Sequence, residues 1–121
     1  IGCQIHGSSE LNVQADANLL GQATLNLLLN SADAAPQNGC IKIEFHAPIE
    51  AEARQFVLTI EDNGPGIPVE MLDKIFNPFF TTKDTGTGLG LAIVHRIVEA
   101  HDGTIVAKNL NTGGAKFEIR I

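Results

Sequence analysis

Residues 56–68 read FVLTIEDNGPGIP, a strand pattern that runs directly into a glycine-proline turn. In the strand, Phe56, Leu58 and Ile60 alternate with their neighbours, which predicts one face against a core. The turn begins at Asp62, and its two glycines let the backbone bend sharply and pack close to a planar ligand. We expect the Asp62 carboxylate to face a pocket and to accept a hydrogen bond from an amino group. An ordinary Asx or glycine-proline turn would give the same local pattern.

A long helix is predicted upstream of this strand. Asp16 can cap its N-terminus, and no proline interrupts the following segment until Pro36. The end of the helix is predicted at Pro36 and the Asn38-Gly39 pair. One stripe of the helix carries Leu19, Ala23, Leu27 and Ser31.

Alternating and glycine-punctuated segments predict the other elements. Strands are expected at residues 11–14, 40–47, 55–61, 104–107 and 115–121, with residues 48–54 as a connection. A short helical piece is expected at 69–75, and an amphipathic helix at 89–100 that ends at Asp102-Gly103. Strands paired by hairpins, with helices on one side, predict the α+β class as a two-layer α/β sandwich. At this length we expect a single domain, residues 1–121.

Composition argues against several classes of protein. Fourteen acidic and eight basic residues give a formal net charge of -6, which opposes affinity for nucleic acid. No apolar run approaches the roughly 20 residues that cross a bilayer, so no membrane contact of this domain is expected. Cys3 and Cys40 form no CxxC motif and are expected to be free thiols.

Three polar side chains recur on the predicted long helix. Asn26, Asn30 and Asp33 fall at positions i, i+4 and i+7 in an otherwise leucine-rich stretch. An amide oxygen suits Mg²⁺, which keeps several waters and bridges to phosphate oxygens, so Asn30 is a candidate metal ligand. Solvated positions, or amides that cap backbone groups, would give the same spacing.

A glycine-rich segment precedes the second predicted helix. Residues 86–91 read GTGLGL, and their backbone N–H groups, with the helix N-terminus, can cradle phosphates. The spacing matches neither the dinucleotide fingerprint nor the P-loop. Residues 75–83, IFNPFFTTK, carry three phenylalanines, which either form a lid over a ligand or pin the loop to the core. Lys74 and Lys83 are candidates for a γ-phosphate contact, or are solvated lysines.

The chain resembles the catalytic domains of histidine kinases, because five motifs of that family occur in the same order. They are NLLLN at 26–30, DNGPG at 62–66, FNPFFTTK at 76–83, GTGLGL at 86–91 and GGAKF at 113–117. The form FNPFFTTK is similar to that of the nitrogen-regulation and dicarboxylate-sensor branch. The resemblance implies the Bergerat fold shared with gyrase, Hsp90 and MutL. In this fold a mixed, mostly antiparallel sheet is covered on one face by helices, and ATP lies under a mobile lid.

The resemblance also implies a role for each matching position. Asp62 would bind the adenine amino group, Asn30 would ligate Mg²⁺, and Asn26 would approach the phosphates. Asn26 and Lys83 are the catalytic candidates. The other implied ATP contacts are Asp33, Gly64, Gly66, Ile67, Phe79, Thr82, Gly86, Thr87, Gly88, Leu89, Gly90, Leu91 and Lys116.

Two positions depart from the family pattern. Asp33 stands where many of these kinases carry a basic or tyrosyl phosphate contact, and Asp102 interrupts the usual Gly-Gly after the helix. A third position, Asn26, distinguishes phosphoryl transfer from ATP hydrolysis. Asn26 stands where the hydrolytic relatives have a glutamate general base, and an amide cannot accept the proton of water. Phosphoryl transfer is therefore favoured over the alternative, an ATP-hydrolysing conformational ATPase of the gyrase, Hsp90 or MutL type.

The partners follow from the resemblance. The sequence contains no His-Glu-x-x-x-Pro segment, so we expect the acceptor histidine on a separate dimerisation and phosphoacceptor domain of the same kinase. Autophosphorylation of this chain alone is not expected. A response regulator is the expected downstream partner. The expected location is the cytoplasm, and attachment of the full-length protein to the inner membrane stays open.

Overall fold

The computed structural model describes residues 2–7, 15–46, 56–78, 80 and 90–121. In that part, the strands and helices follow one another along the chain in the order β1 (Gly2–Gly7), α1 (Ala17–Ala34), β2 (Cys40–His46), β3 (Val57–Asp62), α2 (Gly90–Ala100), β4 (Thr104–Asn109) and β5 (Ala115–Arg120). A single 3-10 turn, Val69–Met71, lies between β3 and α2. No helix among these residues is long and apolar enough to cross a membrane.

The strands form one open sheet in the order β1-β2-β3-β5-β4. β1 pairs with β2 in parallel, and every other pair is antiparallel. The predicted mixed, mostly antiparallel sheet is therefore confirmed. Its register pairs Asp62 with Ile41 and Glu61 with Lys116, which fixes the face on which each side chain lies.

The helix α1 forms as its sequence predicts. Asp16 Oδ1 accepts hydrogen bonds from the backbone N–H groups of Asn18 and Leu19, both at 3.0 Å, and so caps the N-terminus. The helix ends two residues before Pro36. Ala23, Leu27 and Ser31 are fully buried, whereas Leu19, at 37% exposed, lies outside the buried part of the stripe.

The core lies between the sheet and the two helices. Both helices contact each other, and α1 also packs on β3. The sheet contributes alternate side chains from β2, β3 and β5, and the buried cluster comprises Ala23, Leu27, Ile41, Ile43, Leu58, Ile60, Ile75, Val94, Ile97, Val98, Ala115, Phe117 and Ile119. The helices thus cover one face of the sheet, which confirms the two-layer prediction.

The opposite face of the sheet is lined by charged side chains, yet part of it is closed to solvent. Val57 and Thr59 lie on this face and are buried, against the simple alternation predicted for β3. Thr59 is paired with Glu44 on one side and Glu118 on the other. Long charged side chains cover their neighbours with their aliphatic stems, and a central strand has such neighbours on both sides.

Some elements differ from the expected ones. β1 was not predicted, because all of its residues are exposed and no buried alternation marks it. The short helical piece expected at 69–75 is a 3-10 turn at Val69–Met71 followed by further turns. The strand expected at 11–14 and the connection at 48–54 lie outside the described residues.

The end of α2 accommodates its unusual residue. Asp102 adopts a left-handed backbone conformation, with φ of 55°. Its N–H donates to the Glu99 carbonyl at 3.0 Å, and the Gly103 N–H donates to the Val98 carbonyl at 2.9 Å. This is the Schellman arrangement that commonly closes a helix. Asp102 therefore takes the conformation that glycine usually supplies at this place.

Candidate functional site

Asp62 is the last residue of β3 and lies on the helix-covered face, where it is only 3% exposed. Its Oδ1 accepts hydrogen bonds from the Gly64 N–H at 2.9 Å and the Ala115 N–H at 3.3 Å. Its Oδ2 is buried and has no hydrogen-bond partner. A buried acceptor without a partner is unfavourable by roughly 1–3 kcal/mol. One carboxylate oxygen is therefore fixed by the backbone, and the other is left for a donor.

Glycine backbones approach Asp62 closely. Gly114 has φ of +97°, and a Cβ added to it would lie 2.8 Å from the Asp62 carbonyl carbon and 2.9 Å from Asn63 Cα. A Cβ on Gly64 would collide with the Ala34 carbonyl oxygen at the end of α1. The end of β3, the last turn of α1 and the β4–β5 connection therefore meet around one carboxylate, and only glycine permits that approach.

Two asparagine side chains hold the loop that follows Asp62. Asn63 Oδ1 accepts from the Cys40 N–H at 2.9 Å and ties the loop to β2. The amide of Asn109, the last residue of β4, accepts from the Ile67 N–H at 2.7 Å and donates to the Ile67 carbonyl at 2.6 Å. Sequence reasoning missed Asn109, because its role depends on β4 ending beside Ile67. Residues 63–67 are thus held from both sides.

One asparagine of α1, Asn26, lies at the start of α2. Asn26 Nδ2 lies 3.5 Å from the Gly90 carbonyl oxygen, a long hydrogen bond to the first residue of α2. Asn30 is one turn further along and is half-buried, and Asp33 is exposed. The structure therefore brings Asn26 to the first residue of α2.

The structure does not bring every predicted ATP contact close to Asp62. Lys116 lies on the charged face of the sheet, with its Nζ 3.8 Å from Glu61 and 3.9 Å from Glu118. Its neighbours Ala115 and Phe117 are buried on the other face, and alternation along β5 therefore directs Lys116 away from Asp62. Ile67 and Leu91 are half-buried against the core. The predicted contacts Phe79, Thr82, Lys83, Gly86, Thr87, Gly88 and Leu89 lie outside the described residues.

The phenylalanines that the structure describes pack inward. The Phe76 ring stacks on His95 with 5.8 Å between centroids and meets Phe117 edge-on at 6.3 Å. Phe80 is half-buried against the same cluster. His95 also lies 3.4 Å from Glu99. Phe76 and Phe80 thus pin this segment to the core, which was one of the two interpretations of the motif.

An apolar groove runs along α1 apart from Asp62. Residues Ala15, Ala17, Leu20, Gly21, Thr24, Leu25 and Leu28 line it. None of them is among the predicted ATP contacts. The candidate site is therefore the surroundings of Asp62, whose Oδ2 is buried without a partner, rather than this groove.

The fold is that of the ATPase domains shared by histidine kinases, gyrase and Hsp90. Residues 15–121 match the family described as histidine kinase-, DNA gyrase B-, and HSP90-like ATPase. The chain belongs to this family, and its sequence and structural relatives are sensor histidine kinases of two-component systems and their catalytic domains.

The relatives agree in sequence and in structure. The chain is 43% identical over 107 residues to the sensor histidine kinase ZraS of Salmonella typhimurium, which covers 88% of the chain and 22% of ZraS. The catalytic domain of histidine kinase ThkA matches with a TM-score of 0.86 and 36% identity, over 99% of this chain and 77% of that domain. Full-length ShkA in complex with AMPPNP matches with a TM-score of 0.82 and 28% identity, over 98% of this chain and 25% of ShkA.

ThkA also matches in a second structure, its complex with the response regulator TrrA, with a TM-score of 0.81 and 32% identity over 98% of this chain and 33% of that one. The chain therefore corresponds to about a fifth of the length of ZraS, and to most of the ThkA catalytic domain.

Proposed function

We propose that this domain binds Mg-ATP and transfers its γ-phosphoryl group to a histidine on a separate dimerisation and phosphoacceptor domain of the same kinase. The observation that carries the proposal is the buried, unpartnered Oδ2 of Asp62. Asp62 is held by two backbone N–H groups through its other oxygen, so Oδ2 keeps a fixed position for a donor. The 6-amino group of adenine is such a donor. ShkA, a structural neighbour, was crystallised with the nucleotide AMPPNP.

The residues of α1 fit the phosphate end of the nucleotide. Asn30 offers one neutral amide oxygen, and Mg²⁺ is usually held by one or two protein groups together with waters and phosphate oxygens. The donor chemistry therefore fits a metal that arrives with ATP. Bound there, Mg²⁺ would neutralise charge on the phosphates. Asn26 lies beside the start of α2, where backbone N–H groups and the helix dipole favour phosphate.

The amide at Asn26 favours transfer over hydrolysis. A glutamate in that place could take a proton from water, whereas an amide has no basic oxygen for that step. Catalysis would then consist of positioning and charge stabilisation, with Asn26 and Lys83 near the transferred group. The acceptor domain and a downstream response regulator are the proposed partners, and the cytoplasm is the proposed location. ThkA, another neighbour, was crystallised with its response regulator.

Calorimetric titration with ATP tests the adenine contact. Asp62→Asn is expected to weaken binding about ten- to a hundredfold, the range for a lost hydrogen bond to a charged group. Glu61→Gln is the matched control, because Glu61 is adjacent in sequence but lies on the opposite face beside Lys116. Equal affinities of the Asp62→Asn variant and the unmodified protein would remove Asp62 from the site.

The metal and transfer steps have separate tests. Asn30→Ala should weaken ATP binding mainly when Mg²⁺ is present, and an equal loss with a chelator would contradict the ligand role. With radiolabelled ATP, label should appear on an added phosphoacceptor domain and not on this chain alone. Label on His6 or His95 would contradict the proposal. Steady-state phosphate release without acceptor, abolished by Asn26→Ala, would favour the hydrolytic alternative.

A further inference from the structure

Asn109, the last residue of β4, contacts one residue of the loop 63–67 at two points. Its Oδ1 accepts from the Ile67 N–H at 2.7 Å, and its Nδ2 donates to the Ile67 carbonyl at 2.6 Å. A side-chain amide carries a donor and an acceptor side by side, as a backbone peptide group does. Asn109 thus gives Ile67 the two hydrogen bonds that a residue of a neighbouring antiparallel strand would supply.

The second half of this loop has few backbone donors by which it can be held. Pro65 and Pro68 lie on either side of Ile67 and carry no N–H. The first half is held separately, because Asn63 Oδ1 accepts from the Cys40 N–H at 2.9 Å. The two hydrogen bonds to Asn109 are therefore the counterpart, at the far end of the loop, of the bond that Asn63 makes.

Gly66 lies directly beside the Asn109 amide. It has φ of +80°, and a Cβ added to it would lie 2.8 Å from Asn109 Oδ1 and 3.4 Å from Asn109 Cγ. The amide is at the end of a rotatable side chain, so an added methyl group would displace it from Ile67. A side chain at position 66 is therefore incompatible with the two hydrogen bonds between Asn109 and Ile67.

We propose that Asn109 is a positioning residue for nucleotide binding, which holds the loop 63–67 in its binding conformation before the nucleotide arrives, and that Gly66 is required because it admits the Asn109 amide. The inference rests on the proposed function, in which the loop that follows Asp62 borders the nucleotide. Asn109 itself needs no contact with ATP. A loop that is already ordered loses less conformational entropy on binding, so the two hydrogen bonds contribute to affinity through preorganisation.

Amide hydrogen exchange of the nucleotide-free domain, followed by NMR, tests the contact without ATP. In Asn109→Ala the Ile67 N–H should exchange roughly five- to tenfold faster, as for the loss of one hydrogen bond, while the Cys40 N–H held by Asn63 should be unchanged. Asn111→Ala is the matched control, because Asn111 is exposed in the turn that follows β4, and it should alter neither rate. Unchanged exchange of the Ile67 N–H in Asn109→Ala would overturn the proposal.

Calorimetric titration with ATP tests whether the contact affects binding. Asn109→Ala should weaken ATP binding about five- to tenfold. Asn109→Asp keeps the size of the side chain, but an ionised carboxylate would face the Ile67 carbonyl with a second acceptor, whereas a protonated carboxyl can donate to it. Relative to the unmodified protein, the ATP affinity of Asn109→Asp should therefore recover as pH falls from about 8 to about 5, while the deficit of Asn109→Ala stays constant. A constant deficit in both variants would overturn the donor role of Asn109.

A double-mutant cycle tests the role of Gly66. If the added Cβ acts by displacing the Asn109 amide, Gly66→Ala and Asn109→Ala remove the same contact, and their effects on ATP affinity should be less than additive. Additive losses would overturn the role of Gly66. An Asn109→Ala protein that binds ATP as the unmodified domain does would overturn the role of Asn109 and leave the proposed function intact. Failure of the unmodified domain to bind ATP would overturn both.

Discussion

Gly114→Ala offers a direct test of how the site is built. Gly114 and the preceding Gly113 have nearly the same φ, +97° and +98°, in the left-handed region that favours glycine. They differ in their surroundings. An added Cβ at Gly113 meets nothing within 4 Å, whereas at Gly114 it meets the backbone of Asp62 and Asn63. Gly113→Ala therefore measures backbone strain alone, and Gly114→Ala measures strain together with the collision.

The expected magnitudes follow from this difference. A non-glycine residue in such a conformation is strained by about 1–3 kcal/mol. The colliding atoms at Gly114 are backbone, including the Asp62 carbonyl carbon at 2.8 Å, so no side chain can rotate away. Overpacking of this kind typically destabilises by a further 1–3 kcal/mol. Gly114→Ala should therefore lower the free energy of unfolding by roughly that additional amount relative to Gly113→Ala.

Urea unfolding gives the free energies, and calorimetry gives the ATP affinities of the folded variants. Displacement of the Asp62 backbone should also weaken ATP binding in the Gly114→Ala protein, while Gly113→Ala should bind ATP as the unmodified domain does. If Gly114→Ala does not fold at all while Gly113→Ala does, the collision is still demonstrated. Equal destabilisation by the two substitutions would refute the reasoning, because it would show that the close approach to Asp62 carries no energy.

Three other substitutions probe the fold. Asp102→Gly should raise the free energy of unfolding by up to about 1 kcal/mol, because glycine adopts the left-handed conformation at the end of α2 without strain; a lower urea midpoint would contradict this. Leu27→Ala should lower it by about 2–5 kcal/mol, since Leu27 is fully buried in the core, and a loss well below that range would count against the packing described. The hydrogen bond from Lys42, at 2.7 Å, lowers the pKa of Glu44. The contribution of this hydrogen bond to the free energy of unfolding is therefore present above the unfolded-state pKa of Glu44. It is lost as pH falls through the lowered folded-state pKa. Both side chains are exposed, so the effect should be small and salt-sensitive, and Glu44→Gln should lose less stability than the unmodified protein between neutral and acidic pH. If the free energy of unfolding depends on pH identically in the Glu44→Gln variant and the unmodified protein, this contribution is excluded.

Local chemistry explains why much of the fold could be predicted. Asp16 caps α1 through bonds to residues two and three positions away, and Pro36 follows its end, so both signals are contained in a short window. The buried alternation of Ile41 and Ile43 marks β2 in the same way. β1 has no buried side chain, and its pairing with β2 depends on residues some 38 positions away in the register. A window of sequence cannot contain that information.

The candidate site likewise combines features that follow from neighbouring residues with features that depend on residues far apart in the chain. Asp62 and its glycines are adjacent in sequence, so the turn could be recognised from its residues. Lys116 shows where motif matching alone was insufficient, because alternation with the buried Phe117 already indicates that it lies on the other face. The contact between Asn109 and Ile67 spans 42 positions and requires β4 to end beside the loop. It could be found only once the strands were placed.

The distribution of unpartnered polar atoms completes the case for the site. Folded proteins pair nearly all of their buried polar groups, so a buried atom left without a partner requires an explanation. In the described part of the chain these atoms are Ser31 Oγ and Asp62 Oδ2. Both lie where α1 ends and β3 ends, and Asp62 Oδ1 is meanwhile fully engaged with two backbone N–H groups. The unpartnered buried atoms are thus one donor and one acceptor at one end of the sheet. This is the pattern expected of a pocket whose missing partner is a ligand. Sequence alone identifies the residues but cannot show which oxygen is already occupied, and that distinction is the reason we propose Asp62 Oδ2 as the acceptor for the nucleotide.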